Sequence, residues 1–204
     1  IKAKFKDSYV YAQDLKKIAP QFAGEETYYL DTQFEGSIND FKLLNLDLFS
    51  NENFVLKGNY HLFNSAKSDR SFVLKGVTNA FTSNYDELKK MLPTIVGERL
   101  PPAFQRIGNF SMEGATSIAK DTIDLDITVD SDLGTVAAQL RLNYAYKIDE
   151  ASYDGTVFFQ DVDLGIIVND PLVGEISLKG SVKGRGFTLA NINPKFKGKV
   201  TKHQ

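Results

Sequence analysis

The densest group of side chains that could bind a metal or take part in catalysis in this sequence consists of carboxylates. Asp124, Asp126, Asp130 and Asp132 lie close together. A calcium site needs several oxygen ligands that converge on one point, usually around a glycine-containing turn. Asp124, Asp126 and Asp130 instead alternate with apolar residues, which spreads them along one side of a strand. We therefore interpret the cluster as a solvated strand surface, and we predict no metal site.

Histidine and serine give no catalytic pattern either. His61 and His203 are the two histidines of the chain, and neither belongs to a motif with a serine and an acid. The segment 183–186 is rich in glycine but lacks the lysine–serine context of a phosphate-binding loop. A bend in a strand explains it better. We predict no catalytic residues, no cofactor and no enzymatic activity.

Composition narrows the function classes further. The chain has no cysteine, so disulfide scaffolds, thiol catalysis and cysteine-bound metals are excluded. The net charge is -2, with both signs mixed along the chain and without a long basic run, so we predict no nucleic-acid partner. No apolar run is long enough to cross a bilayer as a helix.

Strand patterns cover most of the chain. Residues 121–146 alternate apolar and polar side chains on either side of a turn at 131–134, which indicates a hairpin with one apolar face. Short turns separate the other alternating segments, so an antiparallel meander is the simplest topology. The predicted strands are 28–36, 41–49, 53–63, 71–79, 108–117, 121–130, 134–147, 152–160 and 174–184, with a further strand at 195–200.

Two stretches of the chain repeat each other. Residues 14–20 resemble residues 87–93, and short helices are predicted at 13–19 and 84–92, each followed by a proline and then by a new series of strands. A third, degenerate helix is predicted at 163–169. We divide the chain into repeat units 9–63 and 80–147, a partial third unit 148–190 and the start of another at 191–204. We expect these to form one continuous fragment, 1–204, of a longer protein.

The predicted strands carry apolar residues on one face, and little helix is predicted that could cover that face. A sandwich, a closed barrel and a curled sheet that forms a trough are the three solutions. The repeat favours the trough, because a repeated meander can curl along an axis, and the sandwich remains open. The glycines inside predicted strands, Gly58, Gly76 and Gly180, are consistent with curvature or with tolerance at edges. The predicted fold is all-β, a repeated antiparallel meander curled into an elongated apolar groove, with short helices at the repeat junctions.

Several segments resemble the TamB-like proteins of the Gram-negative envelope, within the AsmA-like superfamily. The resembling residues are Asp14-Leu15 and Glu87-Leu88 before their prolines, and segments 108–114, 122–130, 134–135, 153–155, 161–165 and 180–186. The resemblance implies a taco-shaped β-groove in a periplasmic protein that is anchored in the inner membrane and reaches the outer membrane. It also implies phospholipid traffic and, in some systems, outer-membrane protein assembly with a β-barrel partner.

We therefore expect a segment of a lipid conduit whose partner is a phospholipid or another acyl-chain lipid. A chaperone-like or structural module that binds outer-membrane proteins by strand augmentation is the first alternative. A β-sandwich binding module is the second. The candidate groove residues are Leu44, Leu46, Leu48, Phe54, Leu56, Phe72, Leu74, Ile123, Leu125, Ile127, Val129, Val136, Leu140, Leu142, Val157, Phe159, Ile176 and Leu178.

Overall fold

Eleven antiparallel strands form one sheet in which each strand pairs with the next along the chain. A computed structural model describes residues 1–14, 24–50, 53–64, 73–91, 102–143, 150–186 and 191–203. The all-β meander prediction is confirmed, and the strands form one sheet that is not closed, rather than two packed sheets or a barrel. The strands are β1 (Lys2–Tyr11), β2 (Thr27–Ser37), β3 (Asp40–Phe49), β4 (Val55–Phe63), β5 (Val73–Asn84), β6 (Asn109–Ile118), β7 (Thr122–Ser131), β8 (Gly134–Asn143), β9 (Ser152–Asp163), β10 (Glu175–Arg185) and β11 (Asn193–His203).

The helices within the described ranges all lie at one end of the sheet. Helix α1 (Tyr85–Met91) follows β5, and helix α2 (Leu164–Val168) follows β9. A 3-10 helix, η1 (Pro102–Ile107), precedes β6, and residues 12–14 after β1 are also helical. Because alternate strands of an antiparallel meander run in the same direction, all these segments lie at the same end, which we call the helical end. The predicted helix near residues 13–19 extends into residues outside the described ranges.

Side-chain caps begin both α-helices. The Asn84 side-chain oxygen accepts the Glu87 N–H at 2.9 Å at the start of α1. The Asp163 carboxylate accepts the Ile166 N–H at 3.0 Å at the start of α2. Asn and Asp are favoured at this position because they satisfy an N–H that has no partner within the helix. Asn169 then ends α2 in the left-handed conformation.

The sheet has one apolar and one polar face. Directly paired residues of neighbouring strands share a face, so the register assigns every strand residue to one side. We call the side that carries Leu46, Leu125 and Leu178, with their paired residues, the apolar face. The opposite side, which carries Lys75 and Asp124, is the polar face.

Three strands contain bulges at which a residue adopts a positive φ. The residues are Asp7 in β1, Asn45 in β3 and Asp161 in β9, with φ of 48°, 50° and 51°. Asn and Asp tolerate this conformation better than other residues with a Cβ. Each bulge leaves a backbone N–H outside the ladder, and a side chain of the next strand accepts it. Asp7 donates to Asp31 Oδ1 at 2.6 Å, Asn45 to Asn59 Oδ1 at 2.9 Å, and Asp161 to Ser177 Oγ at 2.9 Å.

The tightest packing lies at the helical end. Ala12, Tyr28 and Phe54 are buried there, and Leu88 of α1 packs against them. Aromatic rings continue this contact across the sheet in edge-to-face pairs: Tyr28 and Phe54 at 5.5 Å, Phe54 and Phe81 at 5.8 Å, and Phe81 and Phe110 at 5.7 Å. Such pairs add about 0.5–1.5 kcal/mol beyond the burial of their area. The cluster therefore ties strands β2, β5 and β6 together at one end.

No helix within the described residues combines the length and apolar character that crossing a membrane requires.

Candidate functional site

An unbroken row of apolar side chains crosses the apolar face from β2 to β11. Each member is paired in register with the next, so the row runs perpendicular to the strands. With about 4.8 Å between strands, the row is roughly 43 Å long. We call it the apolar row: Leu30, Leu48, Leu56, Phe81, Met112, Val129, Val136, Phe159, Leu178 and Val200.

Side chains of the apolar row are incompletely covered. Nearly all are half-buried, and Val200 on the edge strand is 50% exposed. The described strands form one layer, and the described helices lie at one end of it. Leu48, Leu56 and Phe81 of the row pack against the buried cluster at the helical end, and the described helices do not extend over the middle of the apolar face. Large exposed apolar surfaces are typical of interaction sites, so this face is the candidate functional site.

Every glycine inside a described strand lies on the apolar face. At Gly76 a Cβ would collide with the Tyr60 ring, and at Gly184 it would lie 2.7 Å from Cζ of Tyr153. Because side chains on the inside of a bend converge, their absence permits curvature toward this face. Tolerance of glycine at edges does not explain a preference for one face. The strand glycines are Gly36, Gly58, Gly76, Gly114, Gly134, Gly155, Gly180, Gly184 and Gly198.

Hydrogen bonds within the protein involve two of the hydroxyl groups on the apolar face. The Tyr60 hydroxyl lies 2.9 Å from Thr78 Oγ1, and Thr32 Oγ1 donates to the Leu44 carbonyl at 3.1 Å. Burial raises the pKa of Tyr60, so this phenol remains neutral at ordinary pH. Burial likewise raises the pKa of Tyr153. The face therefore presents hydrocarbon and neutral rings rather than charges.

The polar face carries cross-strand ion pairs. Lys57 and Asp47 approach to 2.8 Å, and Arg141 and Asp124 to 2.6 Å. The hydrogen bond to Asp124 raises the pKa of Arg141, and the charge of Asp124 adds to the effect. Pairs this exposed contribute little to stability. The ion pairs favour the observed register and keep this face of the sheet hydrated.

The acidic cluster does not converge on one point. Asp124 binds Arg141, while Asp126 accepts the side-chain N–H of Gln139 at 3.2 Å. Asp130 accepts the Thr135 hydroxyl at 2.6 Å. No three His, Asp or Glu side chains within the described ranges are grouped so that they could hold a metal ion.

His61 lies on the polar face. Its Nε2 is 2.7 Å from the Asp40 carboxylate, and its ring is tilted by 37° against that of Phe63, with 3.6 Å between the ring centroids. A depression of about 440 Å³ adjoins it on the same face, between Lys42, Lys75 and Asp126. The depression therefore lies on the opposite side of the sheet from the apolar row.

The register places most of the predicted groove residues together. Phe54 is buried in the cluster at the helical end, just before β4, and Phe72 lies outside the described residues. The residues on the apolar face are Leu46, Leu48, Leu56, Leu74, Ile123, Leu125, Ile127, Val129, Val136, Leu140, Leu142, Val157, Phe159, Ile176 and Leu178.

Leu44 is the exception, because it lies on the polar face. It pairs with Gln33, whereas Leu43 pairs with Phe34 and Tyr60 on the apolar face. The bulge at Asn45 inserts one residue, which reverses the alternation between Leu44 and Leu46. A strictly alternating strand would place both leucines on one side, so the sequence-based assignment of Leu44 was wrong.

Several residues of the apolar face were not predicted. Strand β1 was not predicted, because the bulge at Asp7 interrupts its alternation. Leu30, Phe81, Met112 and Val200 belong to the apolar row but were not among the candidates. The alternation of β2, β6 and β11 was the available signal for Leu30, Met112 and Val200, whereas a register shift in β5 between Thr78 and Phe81 interrupts the alternation before Phe81.

No protein-family model, curated protein or solved structure matches this chain. The resemblance to TamB-like proteins therefore stays a prediction from the residues.

Proposed function

We propose that this chain is a length of a lipid conduit in which acyl chains lie along the apolar face. In this proposal the face is the wall of an open groove, and the protein carries phospholipid between the inner and outer membranes from the periplasm. The apolar row is the observation that carries the proposal. It is continuous over ten strands and half-buried, which suits a surface that is covered only when a ligand is present.

The energetics of such a groove follow from the hydrophobic effect. Each methylene that leaves water for an apolar surface contributes about 0.8 kcal/mol. The row offers aliphatic and aromatic side chains without a charged group that would fix a ligand at one place. An acyl chain would therefore bind with similar strength at successive positions. Uniform binding of this kind permits a chain to slide along the row.

Strand augmentation is the second candidate function. Strands β1 and β11 are both edges of the sheet, and an edge strand offers unpaired backbone groups to an extended peptide. An unfolded outer-membrane protein is the client that the resemblance suggests. Proline substitutions along β11 should then abolish client binding and leave lipid binding intact.

Site-specific photo-crosslinking tests the lipid proposal. We would place a diazirine amino acid at Val129, in the apolar row, and at Val77 as a matched control. Val77 is a strand valine on the polar face and is 53% exposed, more than the half-buried Val129. Crosslinking driven by exposure alone would favour Val77, whereas binding along the row favours Val129. Mass spectrometry of the crosslinked and co-purified molecules identifies the lipid.

The expected result is a lipid adduct at Val129 and none at Val77. Equal labelling at both positions, or no adduct and no co-purified lipid, would reject the conduit. A third diazirine at Phe196 on β11 that captures a peptide, without a lipid adduct at Val129, would favour strand augmentation.

A further inference from the structure

Strands β10 and β11 carry an unusual concentration of positive charge on the polar face. Lys179 lies directly opposite Lys199, and Lys183 directly opposite Lys195. Lys197 lies between these two pairs, opposite Ser181. Like charges at paired positions destabilise a sheet. The arrangement therefore carries a cost that the fold alone does not explain.

Acidic partners within the chain compensate little of this charge. Lys183 approaches Asp154 to 2.7 Å, and this hydrogen bond raises the pKa of Lys183. Among the residues that the structure describes, no carboxylate pairs with Lys179, Lys195, Lys197 or Lys199. The lysines on β11 are exposed, so their charges face solvent.

The other edge of the sheet shows a different arrangement. Lysines also line β1, but there Lys2 pairs with Glu35 at 2.9 Å and Lys4 lies opposite Gln33. Edge lysines protect a sheet against aggregation, and β1 achieves this without opposing cations. Protection of the edge therefore accounts for lysines on β11, but it does not account for the lysines that face them from β10.

The apolar side of β11 is exposed as well. Phe196 is 40% exposed and Val200 is 50% exposed, on the side opposite to the lysines. An edge strand with cations on one side and apolar residues on the other suits a lipid–water interface. There, the lysines reach the headgroups and the apolar side chains enter the acyl boundary. A nucleic acid or an acidic protein would use the charges but not the exposed aliphatic side chain.

We propose that β10 and β11 form a docking surface for a membrane that carries anionic phospholipid headgroups. We call the five lysines Lys179, Lys183, Lys195, Lys197 and Lys199 the basic patch. Strands β10 and β11 approach the bilayer, the basic patch binds phosphate groups, and Phe196 and Val200 enter the interface. This docking does not require acyl chains to bind elsewhere on the apolar face.

Flotation with vesicles tests the docking surface. The 204-residue chain would be mixed with vesicles of equimolar phosphatidylcholine and phosphatidylglycerol, or of phosphatidylcholine alone. The test variant changes Lys195, Lys197 and Lys199 to Gln. The control variant changes Lys2, Lys4 and Lys6 to Gln, which removes the same charge from the other edge strand.

Binding to the anionic vesicles should weaken by about 100-fold in the β11 variant, since each lysine near the surface contributes about 1 kcal/mol. The β1 variant should bind as the original chain does, and vesicles of phosphatidylcholine alone should bind weakly. A second variant, Lys179→Gln with Lys183→Gln, should weaken binding in the same direction. Matching thermal midpoints show that the variants fold alike.

Several outcomes would overturn the docking surface. They are equal losses in both edge variants, no preference for anionic vesicles, or binding to a single-stranded oligonucleotide in place of vesicles. A β11-dependent dimer that ignores vesicles would also overturn it and would indicate contact with a second copy. Vesicle binding with no lipid adduct at Val129 would retain the docking surface and reject the conduit.

Discussion

Two leucines on one strand provide a direct test of the sheet geometry. Leu46 is 6% exposed on the apolar face, while Leu44 is half-buried on the polar face. Leu46→Ala removes three buried carbon groups at about 0.8 kcal/mol each. Because Leu46 is almost fully buried, part of the space that the leucine leaves stays enclosed and adds a cavity contribution. We expect a loss of about 2–3 kcal/mol for Leu46→Ala and less than about 1 kcal/mol for Leu44→Ala.

Urea unfolding followed by circular dichroism measures both losses. With a slope of about 3 kcal/mol per M, Leu46→Ala should lower the midpoint by about 1 M. Asn45→Val should also destabilise the sheet, because a β-branched residue resists the φ of 50° and the bulge would have to reorganise. Equal urea midpoints for Leu46→Ala and Leu44→Ala, at unchanged slope, would refute the bulge and would indicate that both leucines lie on one face.

Two other perturbations test the curvature and the surface charges. Gly114→Ala should destabilise the sheet by about 1–3 kcal/mol, because the φ of Gly114 is 127° and a Cβ would lie 2.7 Å from the Ile127 Cα. An unchanged thermal midpoint would contradict this expectation. The hydrogen bond and the charge of Lys202 lower the pKa of Asp161. The stabilisation of the fold by this pair is therefore present above the ordinary carboxyl pKa of 3.8 and is lost as the pH falls through the lowered pKa of Asp161. Asp161→Asn should therefore flatten the acid limb of a stability–pH curve, and a curve identical to that of the original chain would argue against the pair.

Strict alternation made the middle of the sheet predictable. Strands β6, β7 and β8 pair without register shifts, so a period of two assigns their faces correctly. The carboxylates on β7 were interpreted as a strand surface for the same reason. Strands β1 and β3 contain bulges, and there a period of two fails after Asp7 and after Leu44.

The bulges could not be predicted from the sequence, because only a single Asp or Asn within a strand indicates each of them. Such residues are also common at ordinary polar positions, so nothing in the sequence separates Asn45 from Asn59. The side-chain acceptor that completes the bulge lies on the next strand, and only the register identifies it. The basic patch was missed for a related reason, since the opposition of Lys179 and Lys199 depends on the register between β10 and β11.

Among the residues that the structure describes, backbone pairing in this sheet joins only strands that are neighbours in the sequence. Such a sheet has no closing contact between distant segments, so its width is set by the number of hairpins alone. Each inserted hairpin would widen it by roughly 10 Å and leave the remaining pairs unchanged. Duplication of a hairpin can therefore adjust the width of such a protein to a required span.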